Sequence, residues 1–174
     1  PLPGALEAIA RLNHAGWHVV VATNQSGIGR GLFDMVALNA MHAKMNQMLA
    51  RLGGRVDAVF FCPHTPEDQC TCRKPQPGLF QAIGQRFGVD LAGVPMVGDL
   101  PRDVLAAQSV GCEPHLVRTG QAATMQDAEL VDLRQRVPDL TIHPDLSAFA
   151  DFILREKRVH GEDSPVATHM GELT

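Results

Sequence analysis

The sequence predicts an α/β fold, a doubly wound parallel sheet with helices on both faces. Three observations carry that expectation. Stretches of helical period alternate with short β-branched runs, which implies parallel βαβ units. Polar clusters follow three of those runs, where sheets of this kind place their sites. The 174 residues suit one domain, and 45% hydrophobic with 20% charged residues is ordinary for a globular chain.

The elements follow in order. Leu6, Ile9 and Leu12 recur at helical spacing and Gly16 supplies the stop. Trp17–Thr23 is β-branched and reads as a buried strand, and the glycines of Asn24–Gly31 predict a loop. Asp34 is the N-cap of a long helix whose Leu38, Met41, Met45, Met48, Leu49 and Leu52 form a core stripe, ended by Gly53-Gly54. Asp57–Cys62 is a second strand, Pro63–Pro77 an irregular loop, and Gly78–Phe87 a helix. Val94–Val97 is a third strand, and Pro101–Val110 a helix with Pro in its first turn. Pro114–Arg118 and Leu140–His143 complete five strands, and Asp145–Glu156 closes the core as a helix. Residues 1–156 are thus read as the core. Residues 157–174 are polar and aperiodic, and read as a weakly ordered tail.

A net charge of -4 leaves no basic footprint for nucleic acid. No apolar run approaches the roughly 18 residues of a membrane span, and no signal peptide opens the chain. These features point to a cytoplasmic protein, expected to be monomeric. The abrupt start at Pro1 points to further sequence upstream.

Three of the four cysteines fall within eleven residues, at Cys62, Cys70 and Cys72, with His64 between them. A Cys3His set matches the soft S/N preference of Zn²⁺, and four filled positions leave no room for a reactive water. The expected ion is therefore structural, in preference to free thiols or a disulfide. Arg73-Lys74 follow the last ligand, so a clamped loop would hold two cations where an anion can bind. Thr23-Asn24-Gln25-Ser26 offer a hydroxyl, amides and backbone N–H groups at a strand end, and Arg30 follows within a Gly-rich loop. That loop is neither a Walker A nor a dinucleotide motif. Asp99 ends a strand and suits Mg²⁺, while Asp103, one helical turn on, suits a bracing role or the second shell of that ion.

The order of these groups is similar to that of the haloacid dehalogenase (HAD) superfamily of phosphatases. Thr23 matches its second motif, Lys74 its third, and Asp99 with Asp103 its fourth. The run Cys62-Pro63-His64 followed by Cys70-x-Cys72-Arg73-Lys74-Pro75 resembles two related groups, the heptose-bisphosphate and the histidinol-phosphate phosphatases. Thr23–Gly31 resembles the heptose group more closely. The resemblance implies a capless HAD-type core with a zinc-bound loop and a Mg²⁺-dependent phosphatase. Its substrate would be D-glycero-D-manno-heptose 1,7-bisphosphate, losing its 7-phosphate through an aspartyl-phosphate. Thr23–Ser26, Arg30, Arg73 and Lys74 would contact the substrate, Lys74 would neutralise developing charge, and Asp99 would hold Mg²⁺.

Two departures qualify what the resemblance implies. The family's Asp-x-Asp, which supplies nucleophile and general acid/base, is nowhere among the 174 residues. The heptose group often has Lys after the fourth-motif Asp, where this chain has Leu100 and, two positions on, Arg102. Competing expectations are histidinol-phosphate hydrolysis, a polynucleotide 3′-phosphatase, whose Gly-rich loop is similar, and a non-catalytic zinc-stabilised sugar-phosphate-binding module.

Overall fold

A computed structural model describes residues 1–160 and 166–169. Six parallel strands form one sheet in the order β2-β1-β6-β3-β4-β5. They are β1 (His18–Asn24), β2 (Ala58–Cys62), β3 (Pro95–Gly98), β4 (Glu113–Val117), β5 (Thr141–His143) and β6 (Val166–His169). The helices are α1 (Ala5–His14), α2 (Ser26–Gly29), α3 (Met35–Ala50), α4 (Gly78–Phe87), α5 (Pro101–Ser109), α6 (Asp127–Arg136) and α7 (Leu146–His160).

Strand period explains how the core divides. Val20, Ala22, Met96 and Leu116 face one cluster with Phe80, Ile83 and Val104 from α4 and α5. Val19, Val97 and Val117 face the other, with Leu12, Leu49 and Phe149 from α1, α3 and α7. Successive residues of one strand thus serve opposite layers, as the pleat requires. Burying each of these Leu, Ile or Phe side chains contributes roughly 1.5–3 kcal/mol relative to exposure. Beneath α7 the neighbouring strands β4 and β5 stack His115 on His143, ring centroids 5.1 Å apart, with Phe149 and Phe152 against them. His115 Nδ1 and His143 Nε2 share a hydrogen bond of 2.9 Å, and Glu113 pairs with His115 Nε2 at 3.0 Å.

Most sequence-derived elements are present within a residue or two, including the Asp34 cap, whose carboxylate accepts the Ala37 N–H at 2.9 Å. Several expectations need correction. Within the 24–31 loop, Ser26–Gly29 winds into one helical turn. Met41 lies on the exposed side of α3 and Leu52 is exposed in the turn beyond its end, so the core stripe is narrower, with Leu38, Met45 and Leu49 buried. The closing helix runs four residues past Glu156. The tail contributes β6 between β1 and β3, whereas 161–165 and 170–174 lie outside the described residues. Helix α6 was not foreseen, because it buries only Leu133 and carries charges on most of its surface. No helix among the described residues is long and apolar enough to cross a membrane.

Candidate active site

The carboxyl ends of β1 and β3 gather the polar clusters, and Lys74 is the knot between them. Its side chain is 1% exposed, so its charge must be paired. Nζ pairs with Asp103 Oδ1 at 2.8 Å and donates to the Ala22 carbonyl at 3.0 Å. The Lys74 backbone is clamped as well: its N–H donates to Asn24 Oδ1 at 3.0 Å, and its carbonyl accepts from Asn24 Nδ2 at 3.2 Å. One asparagine side chain therefore stitches the third-motif loop to the end of β1, fifty residues away in sequence.

Asp103 makes two contacts in this knot. Besides Lys74, it accepts the Leu100 N–H at 3.2 Å, tying the first turn of α5 to the loop after β3. Gly98 permits this approach, since a Cβ there would lie 2.5 Å from Asp103 Cβ. Asp99 is half-buried between Gly98 and α5, and its Oδ2 accepts the Gln121 N–H at 3.0 Å. A carboxylate at this position is an oxygen donor of the hardness Mg²⁺ prefers. Leu100 is the N-cap of α5, with Arg102 half-buried two positions on.

The donor atoms of Cys62, His64, Cys70 and Cys72 all lie within 4.8 Å of one another. The three sulfur pairs are separated by 3.0–3.5 Å, and His64 Nδ1 lies 3.5 and 3.3 Å from Cys62 and Cys72. Tetrahedral thiolates around zinc sit about 3.7 Å apart by bond length, so the set fits the ion with small outward shifts. Burial and the Cys72 thiol push Cys62 up to about 12. Burial would raise Cys70 too, but the Arg73 N–H and the neighbouring thiols outweigh it and bring Cys70 to about 7. Arg73 belongs to the same loop, its N–H 3.3 Å from Cys70 Sγ and its guanidinium donating to the His64 carbonyl at 3.3 Å.

The Gly-rich turn leans on this loop. Gln25 N–H donates to the Cys62 carbonyl at 2.7 Å, and Gly29 N–H donates to the Pro63 carbonyl at 3.0 Å. Arg30, exposed at the end of α2, contributes to holding the exposed Glu67 carboxyl below its usual range, after Glu67's own N–H and the Thr65 hydroxyl. The side chains of Thr23, Asn24 and Gln25 are buried, with Gln25 Nε2 donating to Thr23 Oγ1 at 3.1 Å. Asn24 and Gln25, expected to face a ligand, instead turn their amides to the protein; Ser26 is half-buried at the start of α2. The Gln121 N–H on Asp99 was missed by sequence reasoning. Its only advance sign was Gly120 just beyond a strand.

Residues 71–148 match the HAD-hydrolase-like family, and residues 3–100 match polynucleotide kinase 3 phosphatase. A D-glycero-β-D-manno-heptose-1,7-bisphosphate 7-phosphatase of Bordetella bronchiseptica is 53% identical over 157 residues, 89% of this chain and 84% of that one. Its counterpart from Pseudomonas aeruginosa is 47% identical over 156 residues, again 89% and 84%. Among solved structures, the B. bronchiseptica D,D-heptose 1,7-bisphosphate phosphatase complexed with magnesium and phosphate superposes with a TM-score of 0.79 at 49% identity, covering 89% of this chain and 84% of that one. The Burkholderia thailandensis enzyme of the same name gives 0.64 at 48%, with 88% and 85% covered.

Proposed function

We propose that this chain, which belongs to the D-glycero-β-D-manno-heptose-1,7-bisphosphate 7-phosphatases of the HAD-like hydrolases, provides the phosphoryl-transfer site of a Mg²⁺-dependent phosphatase that removes the 7-phosphate of that sugar. The observation that carries the reading is the Lys74–Asp103 pair set between β1 and β3. A cation fixed in a site of low dielectric stabilises charge that grows on phosphoryl oxygens without reorganising. Asp103 positions Lys74, and Asn24 holds the loop that carries it. Thr23 and the Ser26 N–H would receive the phosphoryl oxygens, and the Ser26 hydroxyl nearby sugar oxygens, while the Gln25 N–H is held by the Cys62 carbonyl. Arg30 and Arg73 would orient the substrate, Arg30 from the turn and Arg73 from the loop. Asp99 would hold Mg²⁺, which supplies charge neutralisation when bound.

The attacking carboxylate lies in no Asp-x-Asp of these 174 residues. A strand at the position between β1 and β3, taken here by β6, would carry a carboxylate between Thr23 and Asp99. We place the nucleophile on a strand from outside this sequence, seated there in the full-length enzyme. The aspartyl-phosphate it forms is then hydrolysed by water.

Cys62, His64, Cys70 and Cys72 would hold structural Zn²⁺. Between β1 and β2 lie only α2, α3 and their connections, which supports an open, capless site. A cytoplasmic monomer remains our expectation. The match to polynucleotide kinase 3 phosphatase spans residues 3–100, the similar loop of residues 23–31 among them; the net charge of -4 and the Cys/His cluster favour the sugar substrate. A phosphate-release screen of the full-length protein with heptose 1,7-bisphosphate, histidinol phosphate and a 3′-phosphorylated oligonucleotide tests the reading. Strong preference for the first is expected, and preference for either other substrate would overturn it.

A further inference from the structure

The loop after β4 makes an approach to Asp99 that the motifs do not explain. Gly120 sits at φ +58°, opening the 3₁₀ turn Gly120–Thr124. A Cβ on Gly120 would overlap Asp99 Oδ2 and come 3.2 Å from its Cγ. The same Oδ2 accepts the N–H of Gln121 at 3.0 Å. The carboxylate therefore lies across a bare Cα and is tied to the next amide.

We propose that Gly120 and the Gln121 N–H are positioning groups for Asp99, fixing the orientation in which its carboxylate meets a divalent cation. The inference rests on the reading that Asp99 is the Mg²⁺ ligand. Its physical basis is that a carboxylate anchored through one oxygen has lost its rotational freedom before the ion arrives. Hydrogen bonds of this kind to metal ligands are worth about 10–100-fold in metal affinity. A methyl group at 120 would push the carboxylate off the amide and turn it out of register.

Backbone strain is the confounding effect, because an L-residue is disfavoured at positive φ. Gly88 provides the control: φ is +63° and a Cβ there meets nothing within 4 Å. Gly88→Ala thus introduces the strain without the collision. Asn tolerates the left-handed region better than Ala, so Gly120→Asn keeps the collision with less strain and serves if Gly120→Ala does not fold.

The test is a Mn²⁺ titration of the full-length, zinc-loaded protein, followed by loss of the free-Mn²⁺ electron paramagnetic resonance signal, with no substrate present. Mn²⁺ shares the oxygen-ligand preference of Mg²⁺. The dissociation constant should rise on the order of tenfold in Gly120→Ala and Gly120→Asn. It should stay within about twofold of wild type in Gly88→Ala, and Asp99→Asn should lose saturable binding. Wild-type affinity in the Gly120 variants beside a defective Asp99→Asn would overturn the positioning role and leave the proposed function intact. Equal weakening by Gly88→Ala would overturn it too, as general loosening. Undiminished binding by Asp99→Asn would remove the Mg²⁺ reading and this inference with it.

Discussion

Lys74 is 2% exposed and touches Asp103, Ala22 and Asn24, whereas Arg30 stands on an exposed turn and meets Glu67 through its field. Both are cations near the carboxyl end of β1, and both were read from the sequence as phosphate partners. Burial forces the first into one geometry, because an unpaired charge in the interior is costly. Solvent leaves the second its rotamers and screens its field. A fixed charge suits the reacting phosphoryl group, which must be met in its transition state. An adaptable one suits a second, unreacting phosphate whose position varies with the sugar.

The largest expected effect breaks the rigid half of that comparison. Lys74→Ala should lower turnover of the full-length enzyme by orders of magnitude. It should also destabilise the fold by about 3–5 kcal/mol, since Asp103 is left as a lone buried charge. Adding Asp103→Asn should restore much of the stability and none of the turnover. Paired denaturation and kinetic measurements check this; a double variant that regains activity would show the lysine to be structural.

Next comes the loop that carries both Arg73 and Lys74. Cys70→Ser should release most of the zinc and weaken substrate binding, because the cations hang from the clamped loop. Elemental analysis beside substrate titration checks it, and wild-type zinc content would contradict the assigned ligands.

A buried base without a carboxylate of its own sharpens the contrast with Lys74. Burial lowers His143 to about 4, with the neighbouring His115 adding to the effect against an opposing pull from Glu113. Because the folded value lies below the unfolded one near 6.5, the folded state resists a proton that the unfolded state accepts. Stability should be fully present above pH 6.5 and fall by up to about 3 kcal/mol as pH drops towards 4. His143→Leu should flatten that part of a denaturation–pH profile; an unchanged slope would assign it to other groups.

Arg30→Ala is expected to do least. Its KM for the bisphosphate should rise severalfold, with little change on a monophosphate, since exposed pairs are worth about 0–1 kcal/mol. A ratio of efficiencies unmoved by the mutation would mean that Arg30 does not read the second phosphate.

How far the sequence spoke for itself follows the same division between local and distant. The four sulfur and nitrogen donors fall in one short loop, so spacing alone revealed them. The Asp34 cap and the Gly78–Phe87 helix depend on neighbours in the chain and were equally legible. Asn24 looked like a ligand-facing residue because its bond to Lys74 closes over fifty positions. The Gln121 amide on Asp99 is likewise a product of sheet order, which brings the loops after β3 and β4 side by side. Met41 misled because an apolar stripe on a helix records what is available for burial, not how wide the neighbouring layer is, and Leu52 because the helix stops at Ala50, two residues before it.

The account stands most directly on which phosphate leaves. Phosphorus NMR of D-glycero-β-D-manno-heptose 1,7-bisphosphate turned over by the full-length protein with Mg²⁺ would follow both resonances at once. The account predicts loss of the 7-phosphate signal, growth of inorganic phosphate and a retained anomeric phosphate, all abolished by Lys74→Ala. Release of the 1-phosphate, or unchanged turnover in that variant, would contradict it.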